Sequence, residues 1–259
     1  MVVWITGASS GIGEACAYEY ARLNASLILT SSSEEKLSPV AEKCRALGAE
    51  VAILPFDLQK VTEISALSQR AWTIFNGIDV LFCNAGISQR TTVEDTSMEM
   101  LNTIMDIDFF APVAMAKAVL PQMVAAGGGH IAVTTSIAGK FGFPLRCGYS
   151  AAKHALDGFF ETLQAEYADR GIQVTLVCPG RVRTNISVNA LDKGGQKHGV
   201  MDAGQAGGIT AEKAARKIVR AIRKGRREVL VGSKELLMVY VKRFFPGLCA
   251  KMARRIKPM

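Results

Sequence analysis

Three side chains in this sequence could together move a proton to or from a substrate oxygen: Ser136, Tyr149 and Lys153. Tyr149 and Lys153 stand at i and i+4, so on a helix both leave the same face. An unperturbed tyrosine titrates near ~10 and is a poor base at neutral pH. An ammonium one turn away favours the phenolate, because opposite charges favour each other's ionised form. Ser136 directly follows an apolar run that reads as a strand, which puts its hydroxyl at the C-terminal edge of a sheet. A proton donor or acceptor, a tuning cation and a positioning hydroxyl suit the interconversion of a carbinol and a carbonyl. The plainer alternative is an ordinary Tyr…Lys pair on a helix surface.

A second stretch supplies what such chemistry needs nearby. Val2-Val3-Trp4-Ile5 is a short apolar strand, followed at once by Thr6-Gly7-Ala8-Ser9-Ser10-Gly11-Ile12-Gly13. An amphipathic helix runs on from about Gly11 to Leu23. Gly7 allows a tight exit from the strand, and Gly11 lets backbone N–H groups approach a phosphate. Gly13 lets the helix press on the sheet, and the helix N-terminus adds roughly half a positive charge. The spacing is G-x-x-x-G-x-G, not the G-x-G-x-x-G dinucleotide fingerprint. A plain strand–helix turn remains the alternative for this stretch alone.

These residues need a sheet to place them. Apolar runs at Ser26–Thr30, Glu50–Leu54, Ile78–Cys83, His130–Thr135, Ile172–Cys178 and Glu228–Val231 read as strands. Helical patterns at Glu34–Leu47, Val61–Phe75, Ser97–Ala125, Tyr149–Arg170 and Ala211–Lys224 separate them. Such alternation predicts an α/β fold with a parallel sheet and right-handed crossovers. Residues 185–209 break the rhythm with six glycines and few apolar residues. They follow the C-terminal end of a strand, where open α/β sheets bind ligands, and read as a substrate lid.

The 259 residues, 49% hydrophobic, suit one domain covering 1–259. No uncharged apolar run reaches the ~18 residues of a membrane span, and the first residues already form a strand, not a secretory signal. Six scattered cysteines without C-x-x-C, with only three histidines, argue against a zinc site or a disulfide framework. A reducing, cytoplasmic compartment and no metal are therefore expected.

Thr6-Gly7-x-x-x-Gly11-Ile12-Gly13, Asn84-Ala85-Gly86, Ser136, Tyr149-x-x-x-Lys153 and Pro179-Gly180 occur in the order and spacing of the short-chain dehydrogenase/reductase family. The chain resembles that family from residue 2 to about 232. The resemblance implies a Rossmann-like three-layer α/β/α sandwich with seven parallel strands in the order 3-2-1-4-5-6-7. It implies Tyr149 as general acid/base, Lys153 on the nicotinamide ribose, and Ser136 orienting the substrate. It places Asp57 at the adenine, Asn84 and Gly86 on the adenine-ribose side, and Pro179, Gly180 and Thr184 at the nicotinamide end. The cofactor set it implies also takes in Gly7, Ser9, Ser10, Gly11, Ile12, Gly13, Ser31, Ser32, Leu58, Ala85 and Val182. A homo-oligomer, dimer or tetramer, is expected.

Asp106-Ile107-Asp108 departs from the family pattern, because Asp108 stands where members usually carry Asn. There the Asn helps hold a water in a proton relay to the active-site lysine. An ionised carboxylate accepts hydrogen bonds but cannot donate. Asp108 joins the catalytic set, and it is the one feature that favours the alternative reading, a dinucleotide-binding sensor or scaffold with little catalysis. After the second strand stand Ser31-Ser32-Ser33. No acid there repels a 2′-phosphate, so NADP is favoured, with NAD still open.

The net charge of +8 is uneven. Residues 210–259 carry 15 Lys+Arg against 3 Asp+Glu, whereas the first 209 are mildly acidic. In the tail, 233–259, Leu236, Leu237, Phe244, Phe245 and Leu248 lie among Lys234, Lys242, Arg243, Lys251, Arg254, Arg255 and Lys257. This suits weak contact with an anionic membrane surface. The alternative is a helix packed over the pocket or against a partner subunit. A basic, aromatic tail favours an apolar or lipid-like small-molecule substrate by resemblance. Charge confined to the tail, without a matching motif, speaks against nucleic acid.

Overall fold

Alternation within single strands builds two cores at once. The computed structural model describes residues 1–256. In β1 (Val2–Thr6), Val3 and Ile5 face a core made with α1 (Gly11–Ala21), α2 (Glu34–Ala46) and α8 (Ala211–Arg223). Trp4 faces the opposite core, made with α3 (Ile64–Ile74), α5 (Ala111–Ala125) and α6 (Cys147–Tyr167). In β2 (Ser26–Thr30) and β4 (Val80–Cys83), Leu27, Leu29 and Phe82 join the first core, and Ile28 and Leu81 the second. A period-two pattern with both faces apolar belongs to a sheet covered on both sides.

The sheet is completed by β3 (Val51–Ile53), β5 (Gly129–Thr134), β6 (Ile172–Pro179) and β9 (Glu228–Val231). All seven strands are parallel, in the order β3-β2-β1-β4-β5-β6-β9. This is the expected Rossmann-like order, with β9 in the last place. Strand order reverses direction between β1 and β4, so their C-terminal ends flank a crevice.

Three stretches differ from the sequence expectation. The long helix expected from Ser97 to Ala125 is α4 (Met98–Met105) and α5, joined by a π-helical turn at Asp106–Phe110. Ser97 does cap it, accepting from the Met100 N–H at 3.1 Å. Pro112 directly follows the π-helical turn, in which the Ala111 N–H donates to the Asp106 carbonyl five residues back. The 185–209 stretch holds α7 (Ala203–Ala206) and β8 (Ile209–Thr210), which pairs with β7 (Val182–Arg183) in a separate small sheet. The tail divides at Phe245-Pro246 into α9 (Leu237–Phe244) and α10 (Pro246–Ala253). Met238, Val239, Val241, Cys249 and Ile256 pack with Ile137, Phe141 and Phe143 beside the sheet edge. Lys257, counted among the tail cations, lies outside the described residues.

Candidate active site

The turn after β1 takes its shape from its glycines. Gly7 and Gly11 sit at φ +63° and +60°, a region that L side chains rarely adopt. A Cβ on Gly7 would come within 2.8 Å of the Ala85 backbone, and one on Gly13 would overlap the Gly7 carbonyl oxygen. Ser10, at the N-cap of α1, makes no side-chain cap bond. By contrast, Ser33, Ser97 and Thr210 each accept an N–H from their own helices. The first turn of α1 therefore offers unclaimed N–H groups toward the crevice, as a pyrophosphate requires. The residues present fit a dinucleotide.

A cavity of about 380 Å³ opens there. Gly7, Ser9, Ser10, Gly11, Ile12, Ser31, Ser32, Asp57 and Leu58 line one part of it. Asn84, Ala85, Gly86, Ser136, Tyr149, Pro179, Gly180, Val182 and Thr184 line the rest. Gly13, Asp108 and Lys153 lie behind the wall. Gly13 serves the close approach of α1 to the turn, as its contacts above require. Asn84 has a framework task besides lining the cavity. Its amide donates to the Thr6 carbonyl at 3.2 Å and its oxygen accepts from Thr134 Oγ1 at 3.2 Å, tying together the ends of β1, β4 and β5.

The second strand end differs in detail from the expectation of free hydroxyls. Ser31 donates its proton to the Ser33 carbonyl at 3.1 Å, and Ser33 caps α2. Ser32 alone of the three has no protein hydrogen bond among the described residues.

Tyr149 is 8% exposed and Lys153 is buried one turn further along α6. The ammonium stands 5.5 Å from the centre of the Tyr149 ring. Lys153 donates to the Thr134 carbonyl at 2.9 Å and lies 3.2 Å from Oδ2 of Asp108. The other carboxylate oxygen of Asp108 accepts from the Ile87 N–H at 2.8 Å. The π-helical turn aims Asp108, fully buried, at the lysine. The Nζ–Oδ2 approach is an ion pair lacking hydrogen-bond alignment, so Oδ2 is held by charge attraction. Burial raises the Asp108 carboxyl above its ordinary range, while Lys153 and the Ile87 N–H work the other way. The carboxylate thus meets the lysine directly. Ser136 Oγ accepts from the Ala138 N–H at 3.1 Å and donates to the Pro179 carbonyl at 3.4 Å. So long a donor bond is readily exchanged for a substrate oxygen.

The sequence reading missed a group at the other end of the cavity: Ser88, Arg90, Arg146, Asn185, Asn189 and Gln205. Arg90 and Arg146 meet at Asp202, within the expected lid. No spacing rule joins positions so far apart in sequence. An acid in a glycine-rich loop, one of two there with Asp192, was the one available signal.

Fold and cleft define the Rossmann-like class of α/β proteins. The short chain dehydrogenase family model matches residues 1–194, and the chain belongs to that oxidoreductase family. A dehydrogenase/reductase SDR family member 7B from Xenopus laevis is 37% identical over 254 residues, 95% of this chain and 79% of the relative. A dehydrogenase/reductase SDR family protein 7-like from Drosophila melanogaster is 37% identical over 246 residues, 93% of this chain and 76% of the relative. A short-chain dehydrogenase/reductase from Burkholderia phymatum, in complex with NAD, superposes with a TM-score of 0.84 at 25% identity, covering 100% of this chain and 96% of that one. An alcohol dehydrogenase from Thermococcus sibiricus, complexed with 5-hydroxy-NADP, gives 0.77 at 28% identity, covering 90% and 96%. A nicotinamide cofactor is supported.

Among the described residues, no cluster of His, Cys, Asp and Glu could hold a metal ion. None of their helices is long and apolar enough to cross a membrane.

Proposed function

We propose that this chain transfers a hydride between NADP(H) and an alcohol or ketone carried by an apolar or lipid-like small molecule. The observation that carries this reading is the placement of Tyr149 and Ser136 on one cavity with the uncapped α1 N-terminus, and of Lys153 directly behind Tyr149. A bound nicotinamide would supply or accept the hydride. Tyr149 gives its hydroxyl proton to the substrate oxygen, or takes it back in the reverse direction. Ser136 donates to the same oxygen and fixes its position. Lys153, whose ammonium stands 5.5 Å from the centre of the Tyr149 ring, is read as the residue that binds the nicotinamide ribose. Asp108 is a positioning residue that holds the Lys153 ammonium against the wall. Pro179, Gly180, Val182 and Thr184 are read as the nicotinamide end, and Ser31, Ser32, Asp57 and Leu58 as the adenine end. NADP is preferred because no acid stands at Ser31–Ser33 to repel a 2′-phosphate.

The chain is read as one domain over 1–259, with 185–209 as substrate lid. The tail is read as a weak contact with an anionic membrane surface. Leu237, Tyr240, Phe244, Phe245, Leu248 and Met252 are exposed on α9 and α10, beside Lys242, Arg243, Lys251, Arg254 and Arg255. Cytoplasmic placement, peripheral to a membrane, and assembly as a homo-oligomer belong to the same reading. The test mixes the protein with NADPH and a panel of ketones and follows cofactor absorbance. Consumption that requires a ketone supports the enzyme; tight NADPH binding with no consumption across the panel supports the sensor alternative.

A further inference from the structure

The end of the cavity near the lid carries a charge imbalance. Asp202, 5% exposed, accepts from Arg90 Nε at 3.2 Å and Nη2 at 2.6 Å, and from Arg146 Nη2 at 2.8 Å. Arg90 is fully engaged, since its Nη1 also donates to Ser88 Oγ at 3.1 Å and to the Gln89 carbonyl. Arg146 is not. Its Nε is buried without a hydrogen-bond partner among the described residues, and its Nη2 bonds to Asp202. Its side chain retains 19% exposure, against 3% for Arg90, and both residues line the cavity. Two guanidiniums sharing one carboxylate leave an excess positive charge in the cavity wall. Asp57 is the sole acid among the described lining residues, and it follows β3, across β2 and β1 from this end.

A largely desolvated cation is costly unless its charge is answered; beyond Asp202 and the Phe143 ring 5.5 Å away, Arg146 keeps its Nη1 group without a protein hydrogen bond among the described residues, open to an anion in the cavity. Burial, then the neighbouring Arg90 charge, push Arg146 below the ordinary guanidinium value despite Asp202. Arg146 immediately precedes α6, three residues before Tyr149, and the two side chains line the same cavity. A phosphate of the cofactor does not answer this charge: the α1 N-terminus and Ser32 lie on the β1–β2 side, whereas Arg146 follows β5.

We propose that the substrate carries an anionic oxygen group, a carboxylate or a phosphate, and that Arg146 binds it while Tyr149 handles the carbonyl. Asp202, itself held by Arg90, holds the Arg146 guanidinium in place. A guanidinium recognises either group through charge-assisted hydrogen bonds. This rests on the hydride-transfer reading and names its substrate class.

Two matched pairs of ketones test it with NADPH: acetylbenzoate against its methyl ester, and acetylphenyl phosphate against acetophenone. One charged member should exceed its neutral partner in kcat/KM by about tenfold or more, the range of a charged hydrogen bond. The ratio should fall toward one in Arg146→Gln and recover in part in Arg146→Lys. Taking the ratio divides out losses of folding or cofactor affinity. The two arms decide between carboxylate and phosphate. Ratios near one for both pairs in the wild type, or a ratio that survives Arg146→Gln, overturn the proposal. Calorimetry of the NADP⁺-loaded protein with benzoate and phenyl phosphate reads the site without turnover. Binding of either anion, weakened at least tenfold by Arg146→Gln, upholds the anion site even if no ketone is reduced. Failure of both anions to bind overturns it while leaving hydride transfer to the neutral ketones standing.

Discussion

Lowering the pH from neutral toward 4 should destabilise this protein through one buried histidine at the start of β5. His130 lies within the second core's sheet, 8% exposed, with Nε2 at 2.8 Å from Thr175 Oγ1. The Thr175 hydroxyl gives its own proton to the Arg226 carbonyl at 2.5 Å. Thr175 Oγ1 therefore accepts, and His130 carries its proton on Nε2. Burial pushes the His130 pKa from 6.5 down to about 4. The unfolded chain binds a proton at 6.5 and the native chain only at about 4, so stability is lost as pH falls between those values. Each unit corresponds to ~1.4 kcal/mol, giving a loss of about 3 kcal/mol once both limits are passed. That is a large part of the ~5–15 kcal/mol by which domains are stable. Asp108 and Asp157 contribute with the opposite sign, since burial raises both carboxyls. The effect is therefore isolated by a difference. Urea unfolding, followed by the fluorescence of Trp4 and Trp72, is measured from pH 7 to 4 for wild type and His130→Gln. Glutamine keeps a donor toward Thr175 but cannot titrate. Wild type should lose about 3 kcal/mol relative to the variant over that range. Parallel pH profiles would refute the reasoning.

Tyr149→Phe should lower turnover on the order of 10²–10⁴-fold while NADPH still binds, by fluorescence titration; activity within tenfold of wild type removes the general acid/base assignment. NADPH should bind more tightly than NADH, and Ser31→Asp should move the preference toward NADH by charge repulsion; equal constants in wild type would defeat that inference. Asp108→Asn should retain activity, because an amide oxygen still accepts from the Ile87 N–H and the lysine keeps its bond to Thr134; a sharp fall in kcat would give Asp108 a distinct role. The full chain should sediment with anionic vesicles at low salt, each surface cation contributing about 1 kcal/mol, and be released at high salt; no binding at low salt would leave α9 and α10 as packing elements or a subunit contact.

The strands themselves and the residues at their ends were legible in the sequence because each depends on local signals, whereas the order of the strands came only with the family resemblance. Period-two burial, glycines at forced turns and the i, i+4 spacing of Tyr149 and Lys153 act over a few residues. The π-helical turn at Asp106–Phe110 was not legible, since no residue type or spacing marks where a helix takes one extra residue into a turn. Its consequence is large, because it aims Asp108 at Lys153. Nor could the sequence say that Ser10 leaves its helix uncapped, or that Ser31 spends its proton on Ser33. Arg90, Arg146 and Asp202 meet only because the crevice folds three separate segments together. Local preference chose the elements, whereas charge pairing at the site arises between residues up to 112 positions apart. Only the packed sheet brings such residues within reach of one another.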